Sequence, residues 1–116
     1  MKTKVVFHID WDDEKALIMA LNNMENLLKE IPAKEAMIYL VANGVAVKLF
    51  KLDRAAQYSS RIEKLSDVGV HFCLCNNSIR NLGINRDELI SSCEIIPAGI
   101  LELIRLQAEG CAYIKP

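Results

Sequence analysis

Three apolar runs constrain this chain more than any other feature: Val5 to Ile9, Ala36 to Ala42, and Val70 to Cys75. Each reads as a strand buried in a sheet, and helical patterns lie between them. Strand and helix signals that alternate from end to end dictate an α/β domain with a mainly parallel sheet.

The elements follow in order along the chain. After Val5-Val6-Phe7-His8-Ile9, the segment Asp10-Trp11-Asp12-Asp13 predicts a turn and a cap, with carboxylates placed at a helix N-terminus. A long helix is expected from about Asp13 to Glu30, stopping before Pro32. Leu17, Leu21, Met24, Leu28 and Ile31 form its sheet-facing stripe, while Ile18, Met19 and Leu27 lie largely off it. Glu35 to Ala42 is the second strand, and Asn43-Gly44 a turn. Val45 to Phe50 suits a short helix or a strand, and the glycine turn before it favours a helix. Arg54 to Leu65 reads as a more polar, outward-facing helix. The third strand, Val70 to Cys75, runs into a short helix over Ser78 to Leu82 that stops at Gly83. Asp87-Glu88-Leu89 makes one more turn, and Cys93 to Ile96 a fourth strand. Pro97 opens a helix to about Glu109 as a first-turn proline. Gly110 ends it, and Cys111 to Ile114 is the fifth strand.

A chain of 116 residues fits a single domain, 1–116, with no linker, repeat or low-complexity segment. Its 14 basic and 15 acidic residues balance to −1, and no Lys/Arg cluster stands out, which argues against a nucleic-acid partner. The longest apolar runs are too short for a bilayer span, and Met1-Lys2-Thr3-Lys4 leads straight into a strand. The expectation is no membrane segment, no signal peptide and a cytoplasmic protein. Apolar residues make up 52% of the chain, and the long first helix is apolar on more than one side. Both features predict a homo-oligomer.

The four cysteines, at 73, 75, 93 and 111, contain no C-x-x-C pair, so the usual zinc and dithiol signatures are missing. Cys73, Cys93 and Cys111 sit inside apolar strand-like runs and read as small buried hydrophobes. Cys75 differs because Asn76-Asn77-Ser78 follows it at once. A strand end that meets a helix start places a thiol against free N–H groups and a positive dipole end, which favours the thiolate. The alternative is a structural thiol at a strand end.

In a parallel sheet the carboxyl ends of the first three strands share one edge. That edge gathers His8, Asp10, Asn43, Gly44, Cys75 and Asn76. Histidine near a thiol can take its proton or hold the thiolate, although His8 alone suits a hydrogen-bonded core residue. Asp10 suits a turn or helix cap as well as a site, and Asn43 suits a turn former that tolerates positive φ. Asn43 and Asn76 carry amide donors, and the N–H groups after Gly44 and Asn76 can bind an anion. Asn76, Asn77 and Ser78 most simply cap the short helix, and that capping is compatible with activating Cys75. Arg80, a turn further on, either reaches an anion or is solvated. Asn22 and Asn26, at i and i+4, serve either a pocket or a polar contact between subunits. Trp11 is a pocket lid or an interface anchor, and His71 receives no functional role. No metal or cofactor is called for. Phosphate-binding glycine motifs, G-x-S-x-G and H-E-x-x-H are missing, so nucleotide-binding and hydrolase readings have no support.

Several pieces in order resemble the DsrE/DsrF-like proteins, closest to the short stand-alone, YchN-like members. They are His8-Ile9-Asp10 after the first strand, Asn22 and Asn26 on the first helix, Asn43-Gly44-Val45 after the second strand, Cys75-Asn76 after the third, and the ending from Leu106 to Pro116. The resemblance covers essentially the whole chain. It implies a three-layer α/β/α sandwich on a five-stranded sheet and assembly as trimers or hexamers. It also implies membership in a group where some proteins serve sulfur relays, one cysteine accepting sulfane sulfur as a persulfide and passing it to a protein partner. The cysteine that matches is Cys75, whereas Cys73 is not expected from the family motif. The expected function is therefore sulfur handling at Cys75. The competing expectation is a non-catalytic oligomer that binds a small molecule or a protein at the same sheet edge.

Overall fold

Apolar runs separated by helices fold here into a five-stranded parallel sheet, as a computed structural model of the chain describes for residues 2–116. The strands are β1 (Thr3–Ile9), β2 (Ala36–Ala42), β3 (His71–Cys75), β4 (Glu94–Ile96) and β5 (Ala112–Ile114), in the spatial order β4-β3-β2-β1-β5. Every strand pair is parallel, with His8 opposite Val41, Val41 opposite Cys73 and Val6 opposite Tyr113. The helices are α1 (Glu14–Glu30), α2 (Ser59–Asp67), α3 (Asn76–Asn81) and α4 (Gly99–Ala108).

Stepping from β1 through β2 and β3 to β4 moves the chain one way across the sheet. The return to β5 moves it the other way. Right-handed crossovers therefore leave α1, α2 and α3 on one face and α4 alone on the opposite face. Two cores result. The larger holds Val5, Phe7, Ile9, Ile38, Leu40, Phe72 and Leu74 under Leu17, Leu21 and Met24 of α1 and Ile62 and Leu65 of α2. The smaller packs Val6, Val41 and Cys73 against Leu103 and Leu106 of α4 and Cys111. This is the α/β/α sandwich the sequence implied.

Several local expectations shift. Asp13, not Asp10, caps α1: its side chain accepts the Lys15 N–H at 2.9 Å. Leu28 and Ile31, at the far end of the α1 stripe, are half-buried rather than fully packed. Gly44–Phe50 is helical, as favoured, but in 3-10 form, with Ala46, Val47, Leu49 and Phe50 buried. Residues 54–58 are not helical, so α2 starts five residues later than expected and runs two further. The tyrosine that precedes it, Tyr58, is fully buried and donates its hydroxyl to the Leu49 carbonyl at 2.5 Å. Pro97 is not in the first turn of α4. Ala98 is the N-cap, with extended backbone, and Gly99 is the first helical residue. No helix among the described residues is long and apolar enough to cross a membrane.

Candidate functional site

The ends of β1, β2 and β3 stand side by side at Ile9, Ala42 and Cys75. Cys75 is both the last residue of β3 and the N-cap of α3, at φ −73 and ψ 117. The residue is 5% exposed. Burial pushes its thiol up, but the Ser78 hydroxyl and the backbone N–H groups of Gly99, Ser78 and Asn77, acting as donors toward the sulfur, together outweigh it. The thiol therefore lies below its ordinary value. Hydrogen bonds to the charged form favour that form, which is the logic of an anion hole.

The other cysteines behave in the opposite way. Burial pushes Cys73 up to about 12, with Glu94 and Glu102 adding to the effect. Burial likewise pushes Cys93 up to about 12 and raises Cys111. One thiol of four is thus shifted toward its ionised form while the other three are shifted away from it.

Glycine at position 99 makes this geometry possible. A Cβ there would lie 2.9 Å from the Asn43 Cβ and 3.5 Å from both the Asn43 Cγ and the Cys75 Cβ. Only a hydrogen lets the α4 N-terminus settle between those two side chains and aim its N–H at the sulfur. Gly44 plays a second, backbone role. Its φ of +59 is a left-handed conformation that L-residues rarely adopt, and its N–H donates to Ser78 Oγ at 2.7 Å. The loop after β2 thereby fixes the hydroxyl that hydrogen-bonds Cys75.

His8 is 9% exposed and both of its ring nitrogens are engaged. Nε2 meets Asn43 Oδ1 at 2.8 Å, and Nδ1 meets the Tyr113 hydroxyl at 2.5 Å. The expected turn conformation of Asn43 is a correction: its φ is −133, extended, and the positive φ falls on Gly44. Asn43 is instead a side-chain partner of His8, packed against the α4 N-terminus.

Asp10 stands apart from the cysteine. It forms an ion pair with Lys115, whose hydrogen bond holds its carboxyl below the ordinary value against a smaller cost of burial. Together with His8, Trp11 and Lys115 it lines a cavity of about 70 Å³ between the ends of β1 and β5. That crevice is where the strand order reverses.

Asn76 and Asn77 do not cap α3 through their side chains. Asn76 Oδ1 accepts from Arg86 at 3.4 Å and Asn77 Oδ1 from Arg80 at 2.7 Å, so both amides turn away and Asn77 serves Cys75 through its backbone. Arg80 is thereby accounted for within α3. Asn22 accepts from Arg61 of α2 at 2.7 Å, an internal contact, while Asn26 is exposed and Trp11 is 71% exposed. His71 pairs with Glu94 at 2.7 Å and stacks on Tyr39, at the other end of β3 from Cys75.

Sequence reasoning missed Gly99 and Tyr113 and read Ser78 only as a cap. Neither Gly99, whose requirement is a close approach to Asn43, nor Tyr113, which lies on a strand, carried a local signal of its role. Among the described residues, no group of three or more His, Cys, Asp or Glu side chains is arranged to hold a metal ion.

A model of the DsrE/DsrF-like family matches residues 4–116. Among solved structures, the protein of unknown function MTH1491 from Methanobacterium thermoautotrophicum is 34% identical at a TM-score of 0.88, over 99% of this chain and 100% of that one. The conserved protein of unknown function BT1422 from Bacteroides thetaiotaomicron is 17% identical at a TM-score of 0.69, over 97% of this chain and 94% of that one, a likeness of fold alone. No curated protein matches.

Proposed function

This chain belongs to the DsrE/DsrF-like family, and from that premise we propose that Cys75 accepts sulfane sulfur as a persulfide and passes it to a partner. The observation that carries the reading is the contrast among the thiols. Four hydrogen-bond donors lower Cys75, whereas burial raises Cys73, Cys93 and Cys111.

The chemistry needs little else. In loading, the Cys75 thiolate attacks the outer sulfur of an organic perthiol, R–S–SH. A bond forms between Sγ and that sulfur, the donor's S–S bond breaks, and its electron pair leaves on R–S⁻. The hydrogen stays on the transferred sulfur. In unloading, an acceptor thiolate attacks the same outer sulfur and Cys75 departs as thiolate. A thiol of lower pKa is present more as thiolate and also departs faster, so the donors at Gly99, Asn77 and Ser78 supply the attacking thiolate in loading and ease the departure of Cys75 in unloading. No net oxidation accompanies either step.

The test is mass spectrometry after incubation with a perthiol donor. The reading expects a gain of about 32 Da, one sulfur atom, on the Cys75 peptide and none in Cys75→Ser. Labelling confined to the other cysteines rejects it.

Homo-oligomerisation, as trimer or hexamer, belongs to the same proposal. On α4, Ile100, Leu101 and Ile104 are 63%, 62% and 58% exposed and form an apolar surface. A monomer mass by light scattering at micromolar concentration counts against it. The protein partners are the donor and acceptor of sulfur, and four free thiols suit the reducing cytoplasm. The 5% exposure of Cys75 favours a second reading, a non-catalytic oligomeric binding module. Undiminished partner retention by Cys75→Ser would support that module instead.

A further inference from the structure

Four adjacent strands each send one side chain to the same edge of the sheet on the α4 face: Tyr113 from β5, His8 from β1, Asn43 after β2 and Cys75 from β3. The strand register places them in a row. Val6 lies opposite Tyr113 and Tyr39, and Tyr39 lies opposite His71, so positions two and four residues on keep the same face. Hydrogen bonds join the first three members, at 2.5 Å between Tyr113 and His8 and at 2.8 Å between His8 and Asn43.

The donors and acceptors fix the direction of this row. Asn43 Oδ1 can only accept, so the His8 nitrogen facing it, Nε2, carries the hydrogen. Nδ1 is then an acceptor, and the Tyr113 hydroxyl donates to it. With its oxygen engaged by His8, the Asn43 amide keeps its N–H2 group free to donate to another partner. Asn43 Cγ and Cys75 Cβ each lie 3.5 Å from the point where a Gly99 Cβ would sit.

We propose that the Tyr113–His8–Asn43 row positions the Asn43 amide as a hydrogen-bond donor to the sulfur borne by Cys75. Asn43 is the group that touches the sulfur. His8 and Tyr113 are positioning residues that engage its acceptor end and leave its donor end for the sulfur. The inference rests on Cys75 being the working sulfur, and it adds a side-chain donor to the backbone N–H groups already described. The amide is well suited to the outer sulfur of a persulfide, which lies one bond beyond the reach of donors aimed at Sγ. The other ionisable groups nearby are already paired: Asp10 with Lys115 beyond His8, and Arg80 and Arg86 with Asn77 and Asn76 on the α3 side.

Two measurements on the full chain test this. In the first, ¹⁵N NMR of the unmodified protein reads the His8 tautomer. The Nε2–H form is expected, and an Nδ1–H form overturns the proposal without any substitution. In the second, the pH dependence of Cys75 alkylation is compared across variants. Asn43→Asp keeps the shape and replaces the donor by a carboxylate, and should slow alkylation near neutral pH about tenfold or more, through a higher thiol midpoint. Tyr113→Phe, at a residue 42% exposed, removes only the hydroxyl and should move the midpoint in the same direction by less. His8→Gln, which retains a donor for Asn43, should restore more of the wild-type profile than His8→Ala. Unchanged profiles in Asn43→Asp and His8→Ala refute the row. Failure of perthiol labelling alone refutes sulfur transfer and leaves the Asn43 donor standing, so the two outcomes separate.

Discussion

Gly99→Ala probes the site at its tightest point. The added methyl would sit 2.9 Å from the Asn43 Cβ, a distance that Cβ atoms essentially never show, and the opposing atom is fixed to the backbone rather than at a flexible end. Alanine is worth about 1 kcal/mol more than glycine within a helix, while overpacking a well-filled site costs about 1–3 kcal/mol. The net loss of stability should be no more than about 2 kcal/mol, so the variant folds. The larger effect should be chemical. To relieve the clash, the start of α4 must move away from Asn43, and its N–H moves off the Cys75 sulfur. A hydrogen bond to a charged group contributes about 1.5–3 kcal/mol. At about 1.4 kcal/mol per pH unit, losing most of one such bond raises the thiol midpoint by about one unit. The assay is the rate of Cys75 alkylation by iodoacetamide across about pH 6 to 10, followed by peptide mapping, alongside urea unfolding. Alkylation at neutral pH should slow about tenfold. A Gly99→Ala protein with an unshifted midpoint refutes the claim that this N–H holds the thiolate, whatever its stability.

Three further outcomes are expected. Ser78→Ala removes both a donor to the sulfur and the acceptor for the Gly44 N–H; the alkylation midpoint should rise, and urea unfolding should show a loss of about 1–3 kcal/mol. Asp13→Ala deletes the α1 cap and should cost about 1 kcal/mol by urea unfolding, with the alkylation profile unmoved. Stability should also decline as pH rises above about 9, read as a falling urea midpoint. Cys73 and Cys93, ordinarily near 9.0, and Tyr58, ordinarily near 10.0, keep their protons to about 12 when folded. The unfolded chain releases those protons first, so alkali favours it. Cys75 works the other way, its lowered value adding stability above the ordinary thiol range that is lost as pH falls through the folded value. A urea midpoint flat to pH 11 would contradict the burial of those three groups.

Particular residues show what a sequence can and cannot announce. Strand identities were legible because a strand covered on both faces must be apolar throughout, and Val5 to Ile9 and Ala36 to Ala42 have no other stable use. Cys75 was legible because a polar triplet directly follows an apolar run, which marks a strand end. Gly99 was not: its requirement is a distance to Asn43, 56 positions earlier, and local pattern says nothing about it. Tyr113 meets His8 across 105 positions only because β5 inserts beside β1, a strand order that alternating periodicity does not specify. Asp10 and Asn43 were misassigned for a related reason. Asx residues suit caps and turns by local propensity, but Asp13 and Gly44 took those duties and left the two side chains for partners distant in sequence.

The two outermost strands, β4 and β5, have three residues each. Such stubs offer almost no free amide ladder for another polypeptide to extend, which guards against runaway cross-strand aggregation. Any contact between two copies of this molecule is thereby left to side-chain surfaces rather than to the lengthening of a common sheet.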